Sequence, residues 1–165
     1  MLRARLCLVA AFVLLTSPLA AQDMGLAVGT HAPDATVETL DGRPVHLHQY
    51  VGTRPVLIEF WAVWCGRCKA LEPSLLALER RYATRMTFVT VAVAVNQSPR
   101  RVRAYTSAHD FTSPILYDTR GAAVDAYSAP ATSYIVIIDR SGTVVYSGLG
   151  GEQELEAAVR GAVGR

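Results

Sequence analysis

Residues able to hold a metal or attack a substrate are scarce in this chain: 165 residues carry three cysteines and four histidines. The histidines, His31, His46, His48 and His109, are scattered, and a structural zinc site needs four ligands. His46 and His48 stand two apart, on one strand face, where a solvated hairpin accounts for them. No histidine follows the second cysteine of the pair Cys65 and Cys68. Lys69 stands there, which excludes attachment of haem. No basic run remains beyond Arg100-Arg101, too short to track a phosphate backbone, so no nucleic-acid partner is expected. Internal repeats and low-complexity segments are also missing. No cofactor is implied, and a monomer is expected.

What is present begins with a processing signal. Arg3 and Arg5 precede an apolar run from Leu6 to Leu15, then Thr16-Ser17-Pro18 and the small-residue end Leu19-Ala20-Ala21. This reads as a secretory signal peptide over residues 1–21, cleaved after Ala21. Its apolar run is shorter than the roughly 20 residues that span a bilayer. If uncleaved, it would act as a membrane anchor. Removing it takes two of the 16 basic residues and none of the 14 acidic ones, leaving 14 against 14. A periplasmic or secreted protein is expected, with one domain over residues 22–165.

Cys7 leaves with the signal, so the mature chain keeps only Cys65 and Cys68. A loop this small does little to constrain an unfolded chain. The pair is better read as redox-active or metal-binding than as a staple. Two thiolates also suit copper(I), so a copper carrier is an alternative reading.

Periodicity predicts the elements. Residues 23–30 read as a loose lead-in. Thr36–Leu40 and Pro44–Leu47 read as strands about an Asp41-Gly42 turn. Val56–Ala62 is apolar on both alternating faces, the pattern of a strand buried on both sides. A helix follows from the cysteine pair, with a stripe of Leu71, Leu75, Leu78 and Tyr82 and a bend at Pro73. Met86–Val95 is a second buried strand. Ser98-Pro99 starts a helix running to Ala108. Ile115–Tyr117 is a short strand and Ala122–Tyr127 a helical turn. Tyr134–Asp139 and Thr143–Gly148 form a hairpin, and Glu152–Ala162 closes as a helix. The sum is an α/β fold, a mixed central sheet flanked by helices on both faces.

The chemistry centres on Trp64-Cys65-Gly66-Arg67-Cys68, where a buried strand gives way to a helix. Unpaired N–H groups and a partial positive charge at a helix start stabilise a thiolate. Cys65 can therefore attack a disulfide. Cys68, about one turn later, can release the product by closing the internal bond. Glu59 lies among apolar neighbours, which should raise its pKa and suit it to move a proton for Cys68. The other reading of Glu59 is a strand-end residue facing solvent. Trp61 reads as core, whereas Trp64 has the better claim to the rim. Arg67 either stabilises the thiolates and raises the reduction potential or is simply solvated.

The stretch Glu59-Phe60-Trp61-Ala62-Val63-Trp64-Cys65-Gly66-Arg67-Cys68-Lys69, with Pro73, resembles the active-site strand and helix of thioredoxins, and Glu59 falls where that family keeps a buried acid. Val28–Asp34, the Asp41-Gly42 hairpin and Ile138–Gly142 resemble the exported thiol–disulfide reductases of the TlpA and ResA type. The resemblance implies a thioredoxin-like fold with an N-terminal hairpin extension. It also implies reduction of protein disulfides, and substrate contacts at Trp64, Gly66, Arg67, Thr132 and Ser133. Its partners would be disulfide substrates, such as apocytochrome c or oxidised periplasmic enzymes, and a membrane thiol electron donor. A disulfide-forming oxidant is the other direction of the same chemistry.

Two departures stand out. The family carries a cis-proline just before its late strand. Counting back from Asp139 puts Ser133 at that place, while Pro130 sits three residues earlier. Either Ser133 replaces the proline or a shifted register uses Pro130. The acidic residue that many of these reductases carry three places after the second cysteine is also replaced, by Leu71, with Glu72 adjacent.

Overall fold

The computed structural model describes residues 25–164. The signal segment at residues 1–21 and Cys7 lie outside the described residues. Seven strands form one mixed sheet: β1 (Thr36–Thr39), β2 (Pro44–His46), β3 (Val56–Trp61), β4 (Thr87–Val93), β5 (Ile115–Asp118), β6 (Tyr134–Ile138) and β7 (Val144–Leu149). Four helices accompany them: α1 (Gly66–Tyr82), α2 (Pro99–Ala108), α3 (Ala122–Ala126) and α4 (Leu155–Val163). The strand order is β2-β1-β5-β4-β3-β6-β7. β3, β4 and β5 run parallel, and the flanking pairs are antiparallel.

β3 lies near the middle of the sheet, between β4 and β6, and all six of its residues are buried. Its alternation splits the core in two. Leu57 joins Leu71, Leu75, Leu78 and Tyr82 of α1, Phe88, Ile137 and the apolar face of α4. Val56, Ile58 and Phe60 face the other way, into a cluster with Ala123 of α3 and Tyr127. The Phe60 ring sits 5.6 Å from that of Tyr127. The expected stripe of α1 is the stripe that is buried, and the helix continues through Pro73.

Some expectations are corrected. The chain before β1 is not loose. Gly29 N–H donates to Val144 O and Val144 N–H to Thr30 O, each at 2.8 Å, while His31 bridges Thr143. Backbone pairing of this kind leaves no hydrophobic pattern to read. Gly25 is required at its place, because at φ +102 a Cβ would fall 2.3 Å from Tyr134 Oη. His46 and His48 do not share a strand face. β2 ends at His46, and His48 lies in a 3₁₀ turn over Leu47–Tyr50. Asp34 draws both in, with Oδ2 2.9 Å from His46 Nδ1 and Oδ1 accepting from His48 N–H. α4 starts at Leu155 rather than Glu152, and Glu154 gives no side-chain cap. The Gln153 side chain just before it is turned instead to the carbonyls of Ser133 and Gly150.

Candidate active site

β3 delivers the site. Its last residue, Trp61, is fully buried against the rings of Tyr105 and Phe111, 5.2 and 5.7 Å away. Three residues on, Trp64 turns outward and is 45% exposed, and its Nε1–H donates to Val95 O at 2.6 Å. That bond holds the indole at the rim beside the cysteines while the chain turns into α1.

Cys65 caps that helix. Its Sγ accepts from the backbone N–H of Cys68 at 3.0 Å. The two sulfurs are joined as a disulfide, 2.10 Å long, across Cα atoms 5.3 Å apart. Cys68 is wholly buried, whereas Cys65 keeps 4% of its surface. An incoming sulfur therefore reaches Cys65 more readily. No acidic residue occupies the first turn of α1. The partial positive charge of the helix start therefore acts on Cys65 uncancelled.

Two grooves flank the pair and divide the expected contact residues between them. Trp64 and Thr132 line one of about 340 Å³, together with Val93, Val95, Ala129 and Pro130. Gly66 and Arg67 line another of about 490 Å³, with Leu149, Gly151 and Gln153. Arg67 is exposed and pairs with none of the described residues. At Gly66 an added Cβ would meet nothing within 4 Å, so packing does not dictate the glycine.

Ser133 stands apart from both grooves. It is fully buried at φ 64, and no peptide bond is cis among the described residues. It directly precedes β6, while Pro130 lies out in the groove wall. Its N–H donates to Phe60 O at 2.8 Å, and its carbonyl accepts from Gly150 N–H and from Gln153 Nε2. Its hydroxyl has no partner among the described residues. Both backbone groups of Ser133 are thus engaged internally. Thr132, one residue earlier, lines the groove.

Glu59 does not face solvent. It is 4% exposed, on the β3 face covered by α1, and its Oε1 has no partner among the described residues. Burial, with a smaller push from the Glu72 charge, raises its carboxyl to about 8. It lines a small cavity of about 20 Å³ with Glu72, Leu75 and Glu79 of α1, Thr90 of β4 and Phe111. Glu72 takes the Tyr105 hydroxyl at 2.9 Å and lies 2.8 Å from His109 Nδ1. The sequence reading missed Tyr105 and His109. Tyr105 lies in the last turn of α2 and His109 just past its end, and their spacing of four was the available signal. Among the described residues no cluster of three or more His, Cys, Asp or Glu side chains is placed to hold a metal ion.

This geometry agrees with comparisons across known proteins. Residues 27–162 match the Redoxin family model. The chain belongs to the Redoxin family. Among Redoxin-like relatives, the thioredoxin-like protein YneN of Bacillus subtilis is 31% identical over 138 residues, covering 82% of this chain and 80% of its own. The thiol-disulfide oxidoreductase ResA of Geobacillus thermodenitrificans is 29% identical over 119 residues, covering 72% and 67%. A thiol:disulfide interchange protein of Chlorobium tepidum superposes with a TM-score of 0.68 at 24% identity, over 83% of this chain and 98% of that one, which establishes the shared fold. This Redoxin-family chain is thus a thioredoxin-like protein-disulfide oxidoreductase of the TlpA and ResA type.

Proposed function

We propose that the protein reduces disulfides of other proteins outside the cytoplasm, with Cys65 as nucleophile, Cys68 as resolving thiol and Glu59 as proton carrier. The observation that carries this reading is the disulfide at the mouth of α1, one sulfur buried and the other at the edge, with Glu59 Oε1 buried without a partner among the described residues on the β3 face that α1 covers. In the reduced protein the Cys65 thiolate attacks a substrate disulfide. Cys68 gives its proton to the Glu59 carboxylate and attacks Cys65, and the substrate leaves as a thiol. Trp64 and Thr132 would hold the substrate chain on one side, Gly66 and Arg67 on the other.

An extracytoplasmic site is supported by the charged, apolar and small-residue regions of Met1–Ala21. Among the described residues no helix is long and apolar enough to cross a membrane. Re-reduction then requires a membrane thiol donor, and apocytochrome c or oxidised periplasmic enzymes are the substrates proposed.

Acid-quenched thiol trapping in the native host tests the direction. A pair found mainly reduced supports the reductase. A pair held mainly as disulfide would make the protein an oxidant. Anaerobic titration with copper(I) tests the site itself: tight stoichiometric binding without turnover of a model disulfide would make it a carrier.

A further inference from the structure

Glu59 is sealed under α1, so a proton it accepts needs a way out. Cys68 and Glu72 are four apart on α1, one above the other on its inner side. Glu59 and Glu72 line the same cavity, whose volume of about 20 Å³ has room for one water. The polar chain then leaves the core. The Glu72 side chain is 12% exposed and lies 2.8 Å from His109 Nδ1, and the His109 side chain is 40% exposed. The path runs from a closed strand, through a mostly covered carboxylate, to an imidazole in contact with solvent.

The surrounding groups make this path the favoured one. Around Glu72 stand Glu59 from β3, Glu79 from α1, Tyr105 from α2 and His109 just past the end of α2, with Lys69 of α1 over the Tyr105 ring. Tyr105 donates its hydroxyl to Glu72 and is pushed up to about 12, first by burial and then by that bond and the charges of Glu72 and Glu59. It is a fixed donor rather than a shuttle. Its ring stacks on His109 at 3.8 Å and holds the imidazole against Glu72. Lys69 Nζ lies 5.7 Å from the centre of the same ring. Glu79 also lines the cavity, but its partner is the Thr112 hydroxyl, which does not titrate. Imidazole exchanges protons near neutral pH.

We propose that Glu72 and His109 form the proton exit of Glu59, a positioning pair that restores the buried carboxyl to its base form. The inference rests on the reading of Glu59 as proton carrier. In the resolving step the Cys68 thiol gives its proton to the Glu59 carboxylate as its sulfur attacks Sγ of Cys65. The bond from Cys65 to the substrate sulfur breaks, the Cys65–Cys68 bond forms, and the departing thiolate takes a proton from solvent. At pH 7 Glu59, raised to about 8 by burial, mostly holds a proton, and that proton must first pass by the cavity to Glu72, then to His109 and out, before the carboxylate can accept the one from Cys68. No electron moves in this transfer.

The test mixes reduced protein at pH 7 with a chromogenic aromatic disulfide. The first thiolate released reports attack by Cys65, and the second reports resolution by Cys68. His109→Ala slows the second phase about tenfold, below the 10²–10⁴-fold of direct proton transfer because His109 acts through Glu72. Added imidazole restores the rate in proportion to its concentration. His109→Gln, which keeps a hydrogen-bonding group but cannot exchange the proton, behaves the same way. Glu59→Gln is slow and unresponsive to imidazole. A wild-type second phase in both His109 variants, or slowing that imidazole does not relieve, would reduce the Glu72–His109 contact to a tie between helices. If Glu59→Gln itself resolved at the wild-type rate, the proton-carrier reading would fall first, and the exit with it.

Discussion

The carbonyl of Ser133 accepts a hydrogen bond from Gln153 Nε2 at 2.9 Å, which ties the loop before β6 to the loop before α4. The same Gln153 nitrogen also reaches Gly150 O at 2.7 Å. This clasp holds a serine in a left-handed conformation directly before β6.

A proline at position 133 should harm the protein. Proline fixes φ near −65° and has no N–H. Ser133 has φ 64 and uses its N–H to bond Phe60 O. Ser133→Pro is expected to lower the stability to urea by about 3 kcal/mol. Ser133→Gly relieves the left-handed strain and removes a buried, unpartnered hydroxyl, so a gain of about 1 kcal/mol is expected. A Ser133→Pro variant as stable as the parent would show that the loop has a second conformation of equal energy.

Glu59 makes stability depend on pH. Its folded pKa, raised to about 8 by burial and then by the Glu72 charge, lies above the ordinary glutamate value of 4.5. Between those values the folded state binds the proton that the unfolded state has lost. Stability from this group is therefore full below pH 4.5 and falls as pH rises toward about 8. Glu59→Gln removes that loss. The variant should gain on the order of 3 kcal/mol over the parent at pH 7 and almost nothing at pH 4, by denaturant titration at both. Its resolving step should be slower even so, which sets stability against function at one residue.

Arg67 projects into solvent at the start of α1. Reversing its charge should destabilise the thiolate form of Cys65 and make the pair more reducing. Arg67→Glu is expected to lower the reduction potential by about 10–20 mV, the equivalent of about 0.5–1 kcal/mol for a two-electron couple. Equilibration with glutathione measures it, and no change would leave Arg67 a solvated side chain without influence on the sulfurs.

Much of this site was legible along the chain because its chemistry is local. Cys65, Cys68 and the start of α1 fall within a few residues, and the closed apolar run around Glu59 marks a strand with no solvent face. The helix stripes and the Ser98 cap are likewise short-range signals, and Arg101 N–H does bond Ser98 Oγ. The rest depends on pairings between distant positions. Glu72, Tyr105 and His109 come together only when α2 docks beside α1, and each alone resembles an ordinary helix-surface residue. The pairing of Gly29 and Thr30 with Val144 is made by backbone atoms, which no side-chain pattern announces. The left-handed Ser133 depends on Phe60, Gly150 and Gln153, none of them near it in the chain.

The most direct measurement is the pH dependence of Cys65 alkylation in the reduced protein, read peptide by peptide. A thiolate held at the helix mouth should titrate below about 7.5, and Cys65 should be modified well before Cys68. An inflection at the ordinary thiol value of about 8.5, or modification of Cys68 first, would contradict the account.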